Sequence, residues 1–287
     1  LDHVSILGAI AEPMAGRWTV VWGDGDRVLH CERVRVVRRP ERRPLPARGI
    51  WEVRTQWGPQ TEALFSAFVA KLFDYPIDDD RTWTNLHTLL QDPSRNLLHS
   101  HLGQGEDAAL RLQPDCADLP YYLRAYFAWK MGLPFGFRSC SRGRRGRPPK
   151  CGDLMSQTKA PRSPDPVRAA AAFIRRDVKG AVHSSSARTR PQDDAADTYP
   201  LPMTREAIRP GVTFADPYGH LLVVVGWVPQ GATEPGLLMA ADAQPDGTIG
   251  RRRFWQGSFL FTPETKSVGA GFKGWRPVYY EEDGTVV

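Results

Sequence analysis

The chain has 287 residues, enough for one large domain or two small ones, and it can bury a real core. Apolar residues make up 41% and charged residues 24%, so neither a wholly disordered nor a fibrous chain fits. Its 26 glycines and 25 prolines predict many turns, and the formal charge of +6 is a mild excess whose location decides its meaning.

Residues 17–39, RWTVVWGDGDRVLHCERVRVVRR, alternate apolar and polar side chains around Gly23-Asp24-Gly25-Asp26, which predicts a hairpin. The following RRPERRPLPARG clusters arginine with three prolines and reads as an extended, solvated connector. Residues 1–57 are therefore expected to form a β-rich segment or small subdomain ahead of a main domain at 58–287. In GPQTEALFSAFVAKLFD, residues 58–74, Leu64, Phe65, Phe68, Val69, Leu72 and Phe73 recur at three- and four-residue steps. That spacing predicts an amphipathic helix. A shorter helix is expected over 84–90, before the Asp92-Pro93 breaker.

Residues 115–131, DCADLPYYLRAYFAWKM, predict a central helix ending at Gly132, with Pro134 behind it. Residues 139–200 change character, with Lys or Arg at five of the ten positions 141–150, and read as a partly disordered surface insertion holding one short helix near 169–174. From Val212 onward the chain turns strand-like. Residues 221–228 and 237–241 predict buried strands, and 251–262 and 272–280 add further candidates. Helices first and strands second imply an α+β fold, helices packed on one face of an antiparallel sheet.

Four cysteines, Cys31, Cys116, Cys140 and Cys151, are too few for a disulfide-built scaffold, and no CxxC pair suggests zinc. Cys140 and Cys151 could bridge a loop, and Cys31 reads as a small apolar strand residue. No cofactor and no metal is expected. No stretch approaches ~18 apolar residues, so no membrane span is expected. The start at Leu1 instead of Met leaves room for a removed leader, which tilts the expectation towards an extracytoplasmic or secreted protein. The basic stretches 33–48 and 142–150 lack aromatic interleaving, so they read as solvated loops and no nucleic-acid partner is expected.

Cys116 falls at the start of the central helix, where unpaired N–H groups and the helix dipole favour a thiolate, and Asp115 or Asp118 can cap that start. His220 stands just before an apolar strand, within Asp216-Pro217-Tyr218-Gly219-His220, and can act as a base. At the end of the next strand Asp242 offers a carboxylate to orient the imidazole. Nucleophile, base and orienter thus occur in a workable order. The backbone N–H of Cys116 supplies one oxyanion donor, and Gln113, Gln104 and Trp83 are candidates for a second.

DCADLPYYLRAYFAWKMGLPFGF resembles the nucleophile helix of the papain-like cysteine hydrolases, in the branch of NlpC-type cell-wall peptidases and transglutaminase-like proteins. IRPGVTFADPYGHLLVVVGW is similar to that family's His-bearing strand, and LLMAADAQPDG to the strand of its third polar residue. The resemblance covers roughly 110–138 and 208–248. Ala117 stands where NlpC-type enzymes commonly carry Ser, and Leu222 where an aromatic residue usually follows the base. What the resemblance implies is a papain-like fold with Cys116 as nucleophile, His220 as general base and acid, and Asp242 as orienter. The expected activity is hydrolysis of peptide or peptidoglycan-stem amides through a thioester. A transamidase using the same triad is the alternative among enzymes, and an inactive binding module whose arginine-rich loops hold an acidic partner is the alternative outside them.

Overall fold

The computed structural model describes residues 14–36, 49–143, 147–190, 193–216, 219–233, 235–254, 269–280 and 286. The chain divides into two compact units, 1–44 and 45–287. In the first, β1 (Gly16–Asp24) and β2 (Arg27–Val36) form the expected antiparallel hairpin, closed by a two-residue turn in which Gly25 takes φ +56°. Cys31 lies on β2 with an exposed side chain, so it is a strand residue but not a buried apolar one. The boundary precedes the one expected at 57/58, because Ile50, Val53 and Trp57 are buried in the larger unit. The connector at 37–48 lies outside the described residues.

The larger unit is mixed helix and strand with antiparallel sheets. Its helices and strands in order are α1 (Pro59–Leu72), β3 (Thr82–Trp83), α2 (Leu86–Leu90), α3 (Glu106–Ala109) and α4 (Asp118–Met131). Then come the hairpin β4 (Gly136–Cys140) and β5 (Cys151–Ser156), α5 (Pro166–Ala172), a π-helical stretch (Phe173–Val178) and α6 (Lys179–Ala181). Strands β6 (Thr198–Pro200), β7 (Thr213–Ala215), β8 (Leu221–Val228), β9 (Leu237–Ala243), β10 (Ile249–Arg253) and β11 (Gly271–Trp275) complete the described elements. Seven strands form one sheet in the order β3-β10-β9-β8-β7-β11-β6, with every recorded pairing antiparallel. Residues 255–268, part of the predicted strand 251–262, lie outside the described residues.

Alternation along β8, β9 and β10 sorts the sheet's two faces. Val223, Val225, Ala241, Ala243 and Ile249 join the large core with α1 and α4, while Leu222, Val224 and Ala240 join Phe214, Phe254 and Phe272 on the other. Every residue of α4 from Asp118 to Lys130 is buried, as expected for a helix surrounded by protein. Several of its polar side chains are paired within the protein. Arg124 forms a two-pronged ion pair with Glu62 and lies 3.3 Å over the Trp57 ring, and Tyr121 Oη donates to Asp197 Oδ2 at 2.9 Å. Gly132 ends the helix at φ +63°, the left-handed conformation that a residue with a Cβ avoids. No described helix is long and apolar enough to cross a membrane.

The expectation of a surface insertion at 139–200 is corrected. Cys140 and Cys151 form a disulfide across the β4–β5 hairpin, and Val167, Ala170, Phe173, Ile174 and Val178 are buried in the main core. Asp197 takes hydrogen bonds from Tyr121 and from the Arg138 N–H, tying the end of the segment to α4. A segment that supplies this much core cannot be an appendage. Ile174→Ala is expected to cost about 3 kcal/mol in urea denaturation, whereas a residue on a loose surface insertion would change stability by less than about 0.5 kcal/mol.

Candidate active site

The strap 113–118 carries Cys116 into α4, and it is capped from both sides. Asp115 Oδ1 accepts the N–H groups of Ala117 (2.9 Å) and Asp118 (3.1 Å), while Asp118 Oδ2 accepts the Asp115 N–H (3.2 Å). The reciprocal pattern is that of a capping box, built here with two aspartates. It holds Cys116 two residues before Asp118, the first residue of α4, and the Cys116 N–H donates to no described residue. Burial, then the neighbouring Asp115 charge, pushes the Asp118 carboxyl up to about 6. Lys179 of α6 binds the strap at two points, with Nζ 3.3 Å from the Gln113 carbonyl and 3.5 Å from Asp118 Oδ2.

Small residues bring the strap to the sheet. Ala117 packs with Ala187, Ala215 and Leu221, so the start of α4 can approach the rim where β7 and β8 begin. His220 stands at that rim, directly before β8, and Gly219 before it takes φ +105°. A Cβ at Gly219 would also come within 3.3 Å of Ser184 Oγ, so glycine is required on two counts. The Asp216 N–H donates to the His220 carbonyl at 2.9 Å and closes the turn; Pro217 and Tyr218 lie outside the described residues.

His220 Nε2 meets Asp242 Oδ2 at 2.9 Å, joining adjacent strands. Nδ1 is the ring nitrogen left for a second partner. The Asp242 hydrogen bond, then the hydrogen bonding of Cys116, raises His220 to about 9 against the opposing effect of burial. The free, half-buried Cys116 and the orienting Asp242 thus act on one imidazole. Asp242 is itself 1% exposed, and burial alone would raise its carboxyl. Hydrogen bonds from His220 and Arg252 outweigh that effect and hold it below the usual carboxylate range.

Asp242 Oδ2 accepts two more donors that sequence reasoning missed, Arg252 Nε at 2.7 Å and Gln244 Nε2 at 3.1 Å. The register explains Arg252. Gly250 stands directly opposite Asp242, so the diagonal neighbour two residues on shares the face, and glycine leaves room for its side chain to cross. Gln244 carried a signal of its own, since it follows Asp242 by two residues and strand side chains repeat with that period.

Of the candidate oxyanion donors, Gln113 lies at the site's edge: its side chain is exposed and its Cβ packs beside Gly247 in the turn after β9. Trp83 is corrected out of the site. Its partner Ile249 pairs with Ala243, one step out of phase with Asp242, so the indole is buried on the opposite sheet face against Phe73 and Tyr75. Gln104 is also excluded, because its N–H donates to Glu106, which binds Lys130 at the other end of α4, roughly 20 Å from Cys116 along the helix.

Comparison of the chain with protein-family models, with curated proteins and with solved structures finds no match. The chemistry is therefore read from the side chains. Lys179 is the member whose removal tests the strap, because it holds the loop of Cys116 without touching Cys116 in any recorded contact. Lys179→Met is expected to slow alkylation of Cys116 by roughly tenfold through misplacement of the thiol, with little change in Tm.

Proposed function

We propose that the chain is a thiol-dependent amide hydrolase of papain-like architecture, acting on peptide or peptidoglycan-stem bonds, with Cys116, His220 and Asp242 as its triad. The observation that carries this reading is the imidazole of His220, bound to Asp242 at 2.9 Å, at the rim of the sheet where Ala117, next to Cys116, packs against Leu221. The order of the three along the chain, and the likeness of 115–137 to a nucleophile helix, support it further.

In this reading Cys116 Sγ, as thiolate, attacks the substrate carbonyl and forms a C–S bond. The Cys116 N–H, at the positive end of α4, donates to the developing oxyanion. Collapse breaks the C–N bond, and the His220 imidazolium gives its proton to the departing amine. Asp242 fixes the ring so that Nδ1 faces the reaction, and it stabilises the imidazolium. Water, deprotonated by His220, then attacks the thioester, and Cys116 leaves as thiolate. If an amine replaces water at this last step, the same residues give transamidation, and incubation with labelled casein or cell-wall peptide and a primary amine scores cleavage against coupling.

Alkylation tests the assignment. Iodoacetamide at pH 6 is expected to label Cys116 in preference to Cys31, the other described free cysteine, and His220→Ala to abolish the preference. Turnover should fall as pH rises through about 9, because His220 then loses the proton destined for the leaving amine. Asp242→Asn should move that alkaline limb to lower pH, since the Asp242 hydrogen bond is the largest cause of the raised value. Equal labelling of both thiols, indifferent to His220, would overturn the proposal.

A further inference from the structure

Beside the His220–Asp242 pair lies a cleft of about 780 Å³ whose two walls differ in charge. One wall is β10, with Arg251, Arg252 and Arg253; the other is the loop that carries Asp78, Asp79 and Asp80. Three of these six charges are occupied. Arg251 donates to the carbonyls of Phe73, Tyr75, Pro76 and Asp79, and so braces the loop that forms the opposite wall. Asp79 pairs with Arg81. Arg252 gives only its Nε to Asp242, and its two terminal nitrogens have no partner among the described residues on a side chain that is 53% exposed.

The side chains of Asp78 and Asp80 on the facing loop make no hydrogen bond or ion pair with a described residue, while Arg253, in phase with Ile249 and Arg251, leaves the strand on the face opposite Asp242. The cleft thus presents free guanidinium on one side and free carboxylate on the other. A guanidinium with two free terminal nitrogens matches a carboxylate in geometry as well as charge, and gains more from that partner than from water. The facing aspartates repel the same ligand, so an anionic group has one place to sit. Arg252 and His220 meet the same oxygen of Asp242, which puts the free guanidinium end about one or two residues, roughly 3–7 Å of extended chain, from the reacting carbonyl.

We propose that this cleft selects acyl donors bearing a carboxylate, held by the terminal nitrogens of Arg252 one or two residues from the scissile bond. The inference rests on the thiol-hydrolase reading and adds the substrate's charge class to it. Arg252 then serves two parts of the site, fixing Asp242 through Nε and reading the substrate through its terminal nitrogens.

The test uses acetyl-pentaalanine amides in which a single Glu is walked through the five positions, each paired with its Gln counterpart. Protection of Cys116 from iodoacetamide in the full chain gives the concentration at which each peptide occupies the site. For at least one position the Glu peptide is expected to protect at about tenfold lower concentration than its Gln twin, with the advantage shrinking in 0.5 M salt. Arg252→Gln should reduce the advantage below about threefold, Arg252→Lys should retain part of it, as a charge without the planar fork, and Arg253→Gln should leave it within about twofold. No Glu preference above about twofold at any position, or a preference surviving Arg252→Gln, would overturn the proposal. Calorimetric titration of the same pairs into the Cys116→Ser protein separates the two claims. A Glu preference there without selective alkylation of the wild type would leave the anion site standing and remove the hydrolase reading, whereas alkylation without the preference would do the reverse.

Discussion

Replacing Cys116 with Ser is expected to lower kcat/KM for an activated peptide ester by roughly a thousandfold or more, while Tm changes by no more than about 2 °C. The size of the loss follows from nucleophile chemistry. A serine hydroxyl is far less acidic than a thiol, and an imidazole poised to stabilise a thiolate does not generate an alkoxide at the same site. Residual rate above the background then measures what the helix N-terminus and substrate binding contribute without the sulfur. The small change in Tm follows from position. Cys116 is half-buried on a strap whose hydrogen bonds come from Asp115, Asp118 and Lys179 rather than from the thiol. A fall in activity with an equal fall in folded protein, read by circular dichroism on the same sample, would instead make Cys116 a packing residue.

The sequence and the structure agree where local signals were strong. The apolar run 221–228 coincides with β8, and Gly132 ends α4 where a left-handed cap was expected. They part over 139–200 for a physical reason. Val167, Ala170, Ile174 and Val178 keep a helical spacing, but Arg, Ser and Pro on both sides dominate the composition, and the π-helical widening at Phe173–Val178 shifts the phase midway. Register was the second hidden quantity. Composition cannot tell which of Arg251, Arg252 and Arg253 faces Asp242, nor that Trp83 faces away from it; both facts depend on Gly250 pairing with Asp242 and Ile249 with Trp83. His220 and Asp242 were legible because each sits at the end of its own apolar strand, where a polar residue stands out.

The largest loss of stability is expected from a residue at the other end of the same helix. Lys130 Nζ lies fully buried among Glu106, Asp107 Oδ2 (2.7 Å) and the Leu98 carbonyl (3.1 Å). Asp107 also takes Tyr126 Oη (2.7 Å) and the Ser100 N–H (2.7 Å), and Glu106 takes the Leu102 and Gln104 N–H groups. Two carboxylates thus depend on one ammonium in a place buried from solvent. Lys130→Met removes the only cation among their recorded partners and should cost about 5 kcal/mol in urea denaturation, the upper end for breaking a buried pair, because two charges are orphaned. Lys130→Met combined with Glu106→Gln and Asp107→Asn should recover much of that loss, since the polar contacts remain and the charges do not.

The pH dependence has a definite sign. Burial pushes Glu106 up, but Lys130 and the loop N–H groups outweigh it and hold the carboxyl at about 2. An acid whose folded value is depressed contributes stability above its ordinary 4.5, and that contribution is lost as pH falls towards 2. Wild-type stability should therefore decline over that interval. In Lys130→Met the uncompensated Glu106 carboxyl binds its proton more readily folded than unfolded, so stability should rise as pH falls towards 4.5 and lose that dependence below it. A parallel decline in both proteins would mean that the ammonium is not what holds these carboxylates charged. The loops they anchor would then need another explanation for how they grip the far end of the helix that begins at Cys116.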